Sequence, residues 1–184
     1  GVAHAGPASE AAHDNAQTTT AYADPAVNPT TPNHGRPYVI TAEQTAKDEA
    51  DILVRSSDDD GATWSDPVRV NQDSTTAHQF MPNIVVASDG SVHAFWMDKA
   101  YDTAHNHTFI DITHGVSSDG GKTWKTERVT TQSWNGELGK HQEGFPFIGD
   151  YTGIGASGDV VWGAFPDASN GKTTVIATAR VTLS

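Results

Sequence analysis

The sequence predicts an all-β protein built from many short antiparallel strands. Only 36% of the 184 residues are hydrophobic, while Gly, Thr, Ser, Asp and Asn are frequent, which suits strands joined by polar turns better than a helical bundle. Short apolar runs recur between turn signals, and no segment sustains the period of an amphipathic helix. One turn pattern also occurs twice, at an interval that suggests repeated structural units.

The clearest unit lies in the middle of the chain. Its first two strands are apolar and are joined by a turn at 88–91 that contains an Asp-Gly pair, a strong hairpin signal. Its third strand alternates polar and apolar residues, which is typical of a half-buried strand. The four predicted strands are 83–87, 92–98, 109–116 and 125–130.

Two further units follow the same plan. Strands of the first are predicted at 25–27, 37–40, 51–55 and 68–70, and those of the third at 152–155, 160–165 and 174–178. The third unit ends about one strand short, and the segment 43–50 is compatible with one helical turn. Residues 1–21 show no clear period, so we expect a mobile arm or a strand that needs a partner. The three units are expected at about 22–75, 76–135 and 136–184.

The repeated turn reads S-x-D-x-G-x-T-W at 57–64 and again at 117–124, 60 residues later. Its aspartates can accept backbone N–H groups within a tight turn, and its glycines can adopt positive φ. Its threonines can bond back across the turn, and its tryptophans can pack between sheets. The fixed positions are Ser57, Asp59, Gly61, Thr63 and Trp64 in the first copy, and Ser117, Asp119, Gly121, Thr123 and Trp124 in the second.

These turns resemble the Asp boxes, or BNR repeats, of the sialidase (neuraminidase) superfamily, and the resemblance extends over about residues 22–184. It implies a β-propeller whose blades are four-stranded antiparallel sheets. In that family the Asp box joins strands three and four at the blade periphery, away from the catalytic face. The turn is therefore expected to be structural rather than a metal or ligand site.

Three blades leave two open sheet edges, whereas propellers close with about four to eight blades. We therefore expect the chain to be half of a six-bladed protein, with the other half missing, or to pair with a second copy of itself. In either case residues 1–21 are candidates for an outer strand of the third unit.

Composition limits the compartment and the partners. The net charge of -12 argues against nucleic acid, because an anionic surface repels phosphate, and no apolar run approaches the roughly 20 residues that span a bilayer. With no cysteine, the chain has neither disulfides nor thiolate metal sites. An Ala-x-Ala pattern at 3–5 is compatible with the end of a signal peptide. We expect a secreted or cell-surface protein whose partner is a glycan; no cofactor is required, and a structural calcium ion is compatible with this interpretation.

The resemblance implies a channel mouth near 22–24, 78–82 and 141–152. Sialidases use a Tyr nucleophile just before the first strand of a late blade, and Tyr151 matches that placement. A neutral phenol suits a substrate with a carboxylate beside its anomeric carbon, because an anionic nucleophile would be repelled. Glu143, or alternatively Glu137, is the expected activating base, and Asp150 completes the candidate catalytic group. The structural alternative is that Tyr151 packs at the channel rim and Asp150 caps a turn.

The candidate substrate-binding residues are Asp98, Asp167, Arg36 and His141. The two aspartates end second strands, where they either face the channel and bind sugar hydroxyls or a cation, or simply start a turn. Sialidases clamp the substrate carboxylate with three arginines, and none of the arginines here lies in an evident clamp. The histidines His105, His107 and His114 either converge on a metal or are separate and exposed.

Three functions remain open at this stage. The first is a glycoside hydrolase of exo-sialidase type, or part of one. The second is a non-catalytic propeller that binds glycan or protein. The third is a self-assembling structural protein whose open blade edges join subunits. A fold by itself does not choose among them.

Overall fold

A computed structural model describes residues 19–22, 35–44, 50–105, 107, 109–136, 140–142, 145–148 and 152–183. These residues form β-strands joined by turns and short loops, as the sequence predicts. Within the described ranges, no helix is long and apolar enough to cross a lipid bilayer.

The first sheet is a four-stranded antiparallel meander. Its strands are β1 (Thr19–Tyr22), β2 (Pro37–Glu43), β3 (Asp51–Ser56) and β4 (Val68–Arg69), in that spatial order. The first strand lies earlier than expected and crosses the boundary placed after residue 21, while the expected strand at 25–27 lies outside the described residues. Glu43 ends β2 instead of starting a helical turn, and residues 45–49 also lie outside the described part.

The second sheet repeats this meander. Its strands are β5 (Gln79–Val86), β6 (Val92–Asp98), β7 (Phe109–Ser117) and β8 (Lys125–Arg128), and a short β9 (Trp134–Asn135) pairs with the start of β7. The register of β5 against β6 shifts between Phe80 and Asn83. Met81, inside this bulge, has a φ of 52°, a left-handed conformation that is strained for a residue with a side chain.

Within the described residues the third sheet has three strands, one fewer than the four-stranded meander of each of the first two sheets. A hairpin of β10 (Lys140–Gln142) and β11 (Phe145–Phe147) precedes it. Its own strands are β12 (Gly153–Ser157), β13 (Val160–Asp167) and β14 (Val175–Thr182), all antiparallel. The shortage of one strand agrees with the sequence pattern.

Two apolar layers hold the three sheets together. One lies between the first and second sheets and contains Tyr38, Ile40, Ile52, Val54, Val92, Ala94, Trp96 and Trp124. The other lies between the second and third sheets and contains Met81, Phe95, Met97, Ile110, Ile112, Trp134, Val161 and Phe165. The central strand β6 supplies both layers because successive side chains of a strand point to opposite faces.

Close approach of the layers requires glycine at Gly163 in β13. A Cβ atom there would lie 3.1 Å from the Phe95 ring of the second sheet. The third sheet can therefore approach the second only because this position carries no side chain.

Candidate functional site

The two S-x-D-x-G-x-T-W turns lie at one end of their sheets. Each joins a third strand to a fourth, and Ser117 pairs with Val92 at the start of β6. At the other end of β6, Asp98 pairs with Asp111 near the start of β7. The turns and the β6–β7 edge, which we define by Gln79, Asp98 and Asp111, are therefore at opposite ends of the second sheet.

Both turns have the hydrogen bonds expected from their residue types. Asp119 accepts the Thr123 N–H at 2.9 Å and the Thr123 hydroxyl at 2.6 Å, and the Ser117 hydroxyl donates to the same carboxylate at 2.8 Å. Asp59 has the same partners in the first turn, Ser57 and Thr63, each at 2.7 Å. Each turn is thus held by its own carboxylate.

The remaining positions of the turns also have structural roles. Gly61 and Gly121 have φ values of 88° and 87°, which glycine adopts without strain. The Trp124 indole is buried between the first two sheets and donates to the Gly121 carbonyl at 3.1 Å. Trp64 is only half-buried, so the expectation that both tryptophans pack between sheets is wrong for the first turn.

These turns should make stability sensitive to strong acid. The hydrogen bonds from Thr63 and Thr123 lower the pKa of Asp59 and of Asp119 to about 2, from 3.8 for a free carboxyl. A lowered folded pKa stabilises the fold above pH 3.8, and that contribution is lost as the pH falls towards 2. Urea midpoints measured across this window should fall less steeply in Asp119→Asn than in the parent. Equal slopes would contradict the prediction.

At the β6–β7 edge, Asp98 is a buried hydrogen-bond hub. It is 3% exposed and accepts the Thr113 hydroxyl at 2.8 Å, the Trp96 indole N–H at 3.2 Å and the Ala100 N–H at 2.8 Å. Burial raises the pKa of this carboxyl. Every oxygen is used internally, so Asp98 does not reach a ligand directly, and its expected contact with sugar hydroxyls is not supported.

Asp167, the second predicted aspartate, starts a turn. Its carboxylate accepts the Ser169 N–H at 2.7 Å, which is the turn-initiating alternative for this residue. Asp98 and Asp167 occupy the same position, the last residue of β6 and of β13. At both positions the carboxylate accepts a backbone N–H two residues later, which starts a turn.

A buried ion pair at the β6–β7 edge is repeated in the first sheet, and the sequence analysis missed it. Arg69 donates to Asp51 at 2.8 Å in the first sheet, and Arg128 donates to Asp111 at 2.9 Å in the second. Asp51 and Asp111 are 4% and 0% exposed. The signal was available, because the two aspartates are 60 residues apart, like the two turns.

Arg36 lies at the end of the sheets opposite Asp98. Its guanidinium pairs with Asp58 at 2.5 Å and donates to the Gly120 carbonyl at 3.4 Å, so it bridges the two turns. The predicted substrate-binding group is therefore not assembled: Arg36 and Asp98 are at opposite ends. A cavity of about 200 Å³ lies beside Arg36, lined also by Tyr38 and Lys122.

Tyr38→Phe should leave the fold at least as stable as the parent. The Tyr38 side chain is fully buried, and its hydroxyl makes no hydrogen bond of good geometry. The nearby Arg36 guanidinium interacts with it electrostatically, so folding removes the hydroxyl from water with little compensation. Removing such an unpaired hydroxyl is expected to raise the free energy of unfolding by about 1 kcal/mol. Thermal unfolding would measure this, and a clear loss of stability would show that the hydroxyl is satisfied in solution.

All five arginines of the chain have partners. Those in addition to Arg36, Arg69 and Arg128 are Arg55, which donates to both Glu43 oxygens and lowers its pKa, and Arg180, which lies over the Trp162 ring. Recruiting three of them to clamp a carboxylate would break ion pairs. The chain itself therefore offers no free arginine clamp.

The three histidines that were weighed as a metal site do not converge. His105 contacts Asp102 at 2.7 Å, His107 contacts the Lys99 carbonyl at 3.0 Å, and His114 is buried within the second sheet. Across the part of the chain that the structure describes, no three His, Asp or Glu side chains are grouped so as to hold a metal ion. The expected catalytic residues Tyr151, Glu143 and Asp150, the alternative base Glu137 and the side chain of His141 lie outside the described residues.

Aromatic and cationic side chains pair with one another near the β6–β7 edge. Lys99 Nζ lies 5.7 Å from the centre of the Phe80 ring, and the His78 ring is 5.1 Å from the same ring. The Arg128 guanidinium lies 5.2 Å from the centre of Tyr101, which is 38% exposed. We call these five residues the aromatic platform.

The strained Met81 lies next to this platform. The Thr152 hydroxyl donates to the Met81 carbonyl at 3.2 Å, and Asn83 donates to the Thr152 carbonyl at 2.8 Å. The bulge is thus tied to the start of the third sheet. Strained residues held in this way are concentrated at binding sites.

Searches by sequence and by structure give different results. No protein-family profile and no curated protein matches the sequence. Among solved structures, an α-L-arabinofuranosidase from Fusarium graminearum matches 91% of this chain and 45% of its own, with a TM-score of 0.62 and 13% identity. An α-L-arabinanase from Penicillium chrysogenum matches 94% and 48%, with a TM-score of 0.62 and 15% identity.

The fold is a partial β-propeller. The three sheets are its blades, and the chain spans about half the length of the solved propellers it matches. A leech intramolecular trans-sialidase overlaps more loosely, with a TM-score of 0.42 over 23% of its chain and 21% identity. At these identities the comparison establishes the propeller fold, and function has to be argued from the site.

Proposed function

We propose that this chain is part of a secreted or cell-surface propeller glycoside hydrolase and contributes a glycan-binding surface, the aromatic platform. The observation that carries the proposal is the match of nearly the whole chain to two propellers that are an arabinofuranosidase and an arabinanase. The exposed Tyr101 ring suits this role, because sugars stack their apolar C–H faces on aromatic side chains while polar neighbours bond their hydroxyls.

A neutral glycan of arabinan type fits the chain better than sialic acid. The carboxylate of a sialoside needs free cationic groups, and every arginine here is already engaged. The net charge of -12 adds a general repulsion of anionic sugars. For a neutral sugar, hydrolysis needs two carboxyl groups, and we assign these to Glu143 and Asp150; Tyr151 becomes the nucleophile only in the sialidase alternative.

Binding measurements test the proposed glycan-binding surface. In calorimetry the full chain should bind arabino-oligosaccharides and should show no binding of sialyllactose. Tyr101→Ala should weaken arabino-oligosaccharide binding about tenfold, as loss of one stacking ring implies. Tyr38→Phe is the matched control, since Tyr38 is buried at the opposite end of its blade. If neither glycan binds, or sialyllactose binds more tightly, the arabinan assignment is wrong.

The catalytic assignment needs its own variants. Against an aryl arabinofuranoside, Glu143→Gln or Asp150→Asn should reduce turnover by at least about a hundredfold, while Tyr151→Phe should change it little. A fluorogenic sialoside hydrolysed by the parent and not by Tyr151→Phe would instead establish the sialidase alternative.

A non-catalytic glycan-binding propeller is the second candidate. It is favoured by the state of three described carboxylates in the first two sheets: Asp51 and Asp111 are paired with arginines, and Asp98 accepts hydrogen bonds from at least three donors. None of these three can act as a general acid without breaking internal contacts. Glycan binding without turnover on either substrate would support this candidate.

The third blade is expected to pack against a further blade. Tyr38, His93 and Trp162 each precede the last residue of their strand by five positions. The first two are buried, at 0% and 2%, whereas Trp162 is 47% exposed and Ile176, further along the third sheet opposite Pro166, is 72% exposed. We propose that this face is covered by a blade from a second copy or from the missing half of the propeller.

Light scattering of the purified chain tests this assembly. A mass of two chains that returns to one chain in Trp162→Asp would identify a second copy as the partner. A stable monomer whose solubility and mass are unaffected by Trp162→Asp would show that the face needs no cover.

A further inference from the structure

Five polar side chains form a continuous line across the second blade, from the β5–β6 turn to the outer strand β8. We call Asp89, Ser91, His93, His114 and Glu127 the histidine relay. The Ser91 hydroxyl donates to Asp89, and His93 Nε2 lies 2.8 Å from Ser91 Oγ. His93 Nδ1 lies 3.0 Å from His114 Nε2, and His114 Nδ1 lies 3.1 Å from Glu127 Oε1.

The two histidines in the middle of the relay are buried, and the residues at both ends are exposed to solvent. His93 and His114 are each 2% exposed, whereas Asp89 is exposed and the Glu127 side chain is 68% exposed. Buried ring nitrogens need partners, because an unpaired polar atom away from water costs about 1–3 kcal/mol. All four ring nitrogens here have one.

Counting hydrogens shows that the relay is one proton short when its groups are in their ordinary neutral-pH states. Four contacts need four hydrogens. The Ser91 hydroxyl supplies one and each neutral imidazole supplies one, while carboxylates supply none. Since both ends can only accept, an added proton has to reside on one of the two imidazoles, and with it every contact is a proper hydrogen bond.

We propose that the histidine relay is a one-proton site shared by His93 and His114, and that its occupancy locks or releases Glu127 on the edge strand β8. In the loaded state His114 donates through both ring nitrogens, to Glu127 and to His93, and His93 donates to Ser91. When the proton leaves, the His114 Nδ1 lone pair faces the Glu127 carboxylate. Glu127 then turns to water, which its exposure permits.

The surroundings place the proton on His114. Burial lowers the pKa of both histidines, to about 4 for His93, where the charge of His114 adds to the effect. At His114 the hydrogen bond that it donates to the Glu127 carboxylate opposes the effect of burial. Asp89 and Glu127 are the charged groups that act on the pair. The Phe95 ring also packs against the pair, with its centre 4.8 Å from that of His114.

The relay couples pH to a local contact. Strand β8 is short, and Glu127 pairs directly opposite His114 in the register. At acidic pH the added proton therefore strengthens the contact between Glu127 on β8 and His114 on β7. The effect on global stability has the opposite sign, because an unfolded histidine binds its proton at about pH 6.5 and the folded pair only at lower pH. A local readout is needed to separate the two.

Ring nitrogen shifts measured by NMR on the full chain test the proposal. Below pH 6.5 one proton should enter the pair, on His114, while His93 keeps its single proton on Nε2. In Glu127→Gln the pKa of His114 should fall by about half a unit to one unit, as expected for loss of one partly exposed carboxylate. Asp66→Asn, an exposed carboxylate of the first blade, is the control for the change in net charge and should leave His114 unchanged.

Hydrogen exchange gives the second readout. At one acidic pH, the β8 amides should exchange roughly threefold faster in Glu127→Gln than in Asp66→Asn, and the difference should vanish at neutral pH. Independent titration of the two histidines, an unchanged His114 pKa in Glu127→Gln, or equal β8 exchange at acidic pH would overturn the proposal.

Discussion

Replacing Trp96 with alanine is expected to lower the free energy of unfolding by about 3–5 kcal/mol. The indole is 1% exposed and lies in the apolar layer between the first two blades. Gly115 on β7 leaves the space for it, since a Cβ there would lie 3.0 Å from the ring. The change opens a cavity that neighbouring strands cannot fill without breaking their pairing.

The loss at Trp96 also has a polar component. Its indole N–H donates to the buried Asp98 at 3.2 Å, so the alanine variant leaves that carboxylate with one donor fewer. Urea unfolding followed by circular dichroism would measure the change. Trp162→Ala, compared at a concentration where the chain is monomeric, is the matched control, because Trp162 is 47% exposed. Similar losses in both variants would show that the layer between the blades does not dominate stability.

Asp111→Ala is expected to cost about 3 kcal/mol. Asp111 is fully buried and accepts Arg128 at 2.9 Å, the Thr130 hydroxyl at 2.6 Å and the Ser133 hydroxyl at 2.7 Å. Its removal leaves three donors without their acceptor, including a guanidinium. Breaking one side of a buried pair is costly for this reason, whatever the net value of the intact pair.

Two further variants separate the effect of removing a carboxylate from the effect of leaving a buried guanidinium unpaired. Asp66→Ala, at an exposed turn position, should change stability by less than about 0.5 kcal/mol. Combining Asp111→Ala with Arg128→Leu should recover part of the loss, since the unpaired guanidinium is then gone. If Asp111→Ala proves as mild as Asp66→Ala, the repeated Asp–Arg pair has no structural role.

The β-strand meander and the turn chemistry were predictable because they depend on neighbours along the chain. The apolar run of β6 and the alternation in β7 indicate strands, and the S-x-D-x-G-x-T-W pattern contains both the donors and the acceptors of its own hydrogen bonds. The place of the first strand was not predictable, since 19–22 carries no period of its own and becomes a strand only by pairing with β2. The expected strand that needs a partner thus includes 19–21, but these residues pair within the first sheet and not with the third unit.

The site depended on contacts between residues far apart in sequence. Asp98 looks like an exposed turn residue in the sequence, yet Thr113 from the next strand and Trp96 on its own strand enclose it. Arg36 looks available for a substrate, but a turn 84 residues away supplies its acceptor at Gly120.

The repeated turn, the strand pattern and the 60-residue spacing were thus accessible from residue order, because local hydrogen bonds and side-chain alternation act over a few residues. Burial, charge neutralisation and the histidine relay were decided by the stacking of blades and the pairing of strands. Desolvation and ion pairing depend on what surrounds a group in three dimensions. His93 and His114 are 21 residues apart in sequence, and only the register of β6 against β7 brings their rings within 3.0 Å.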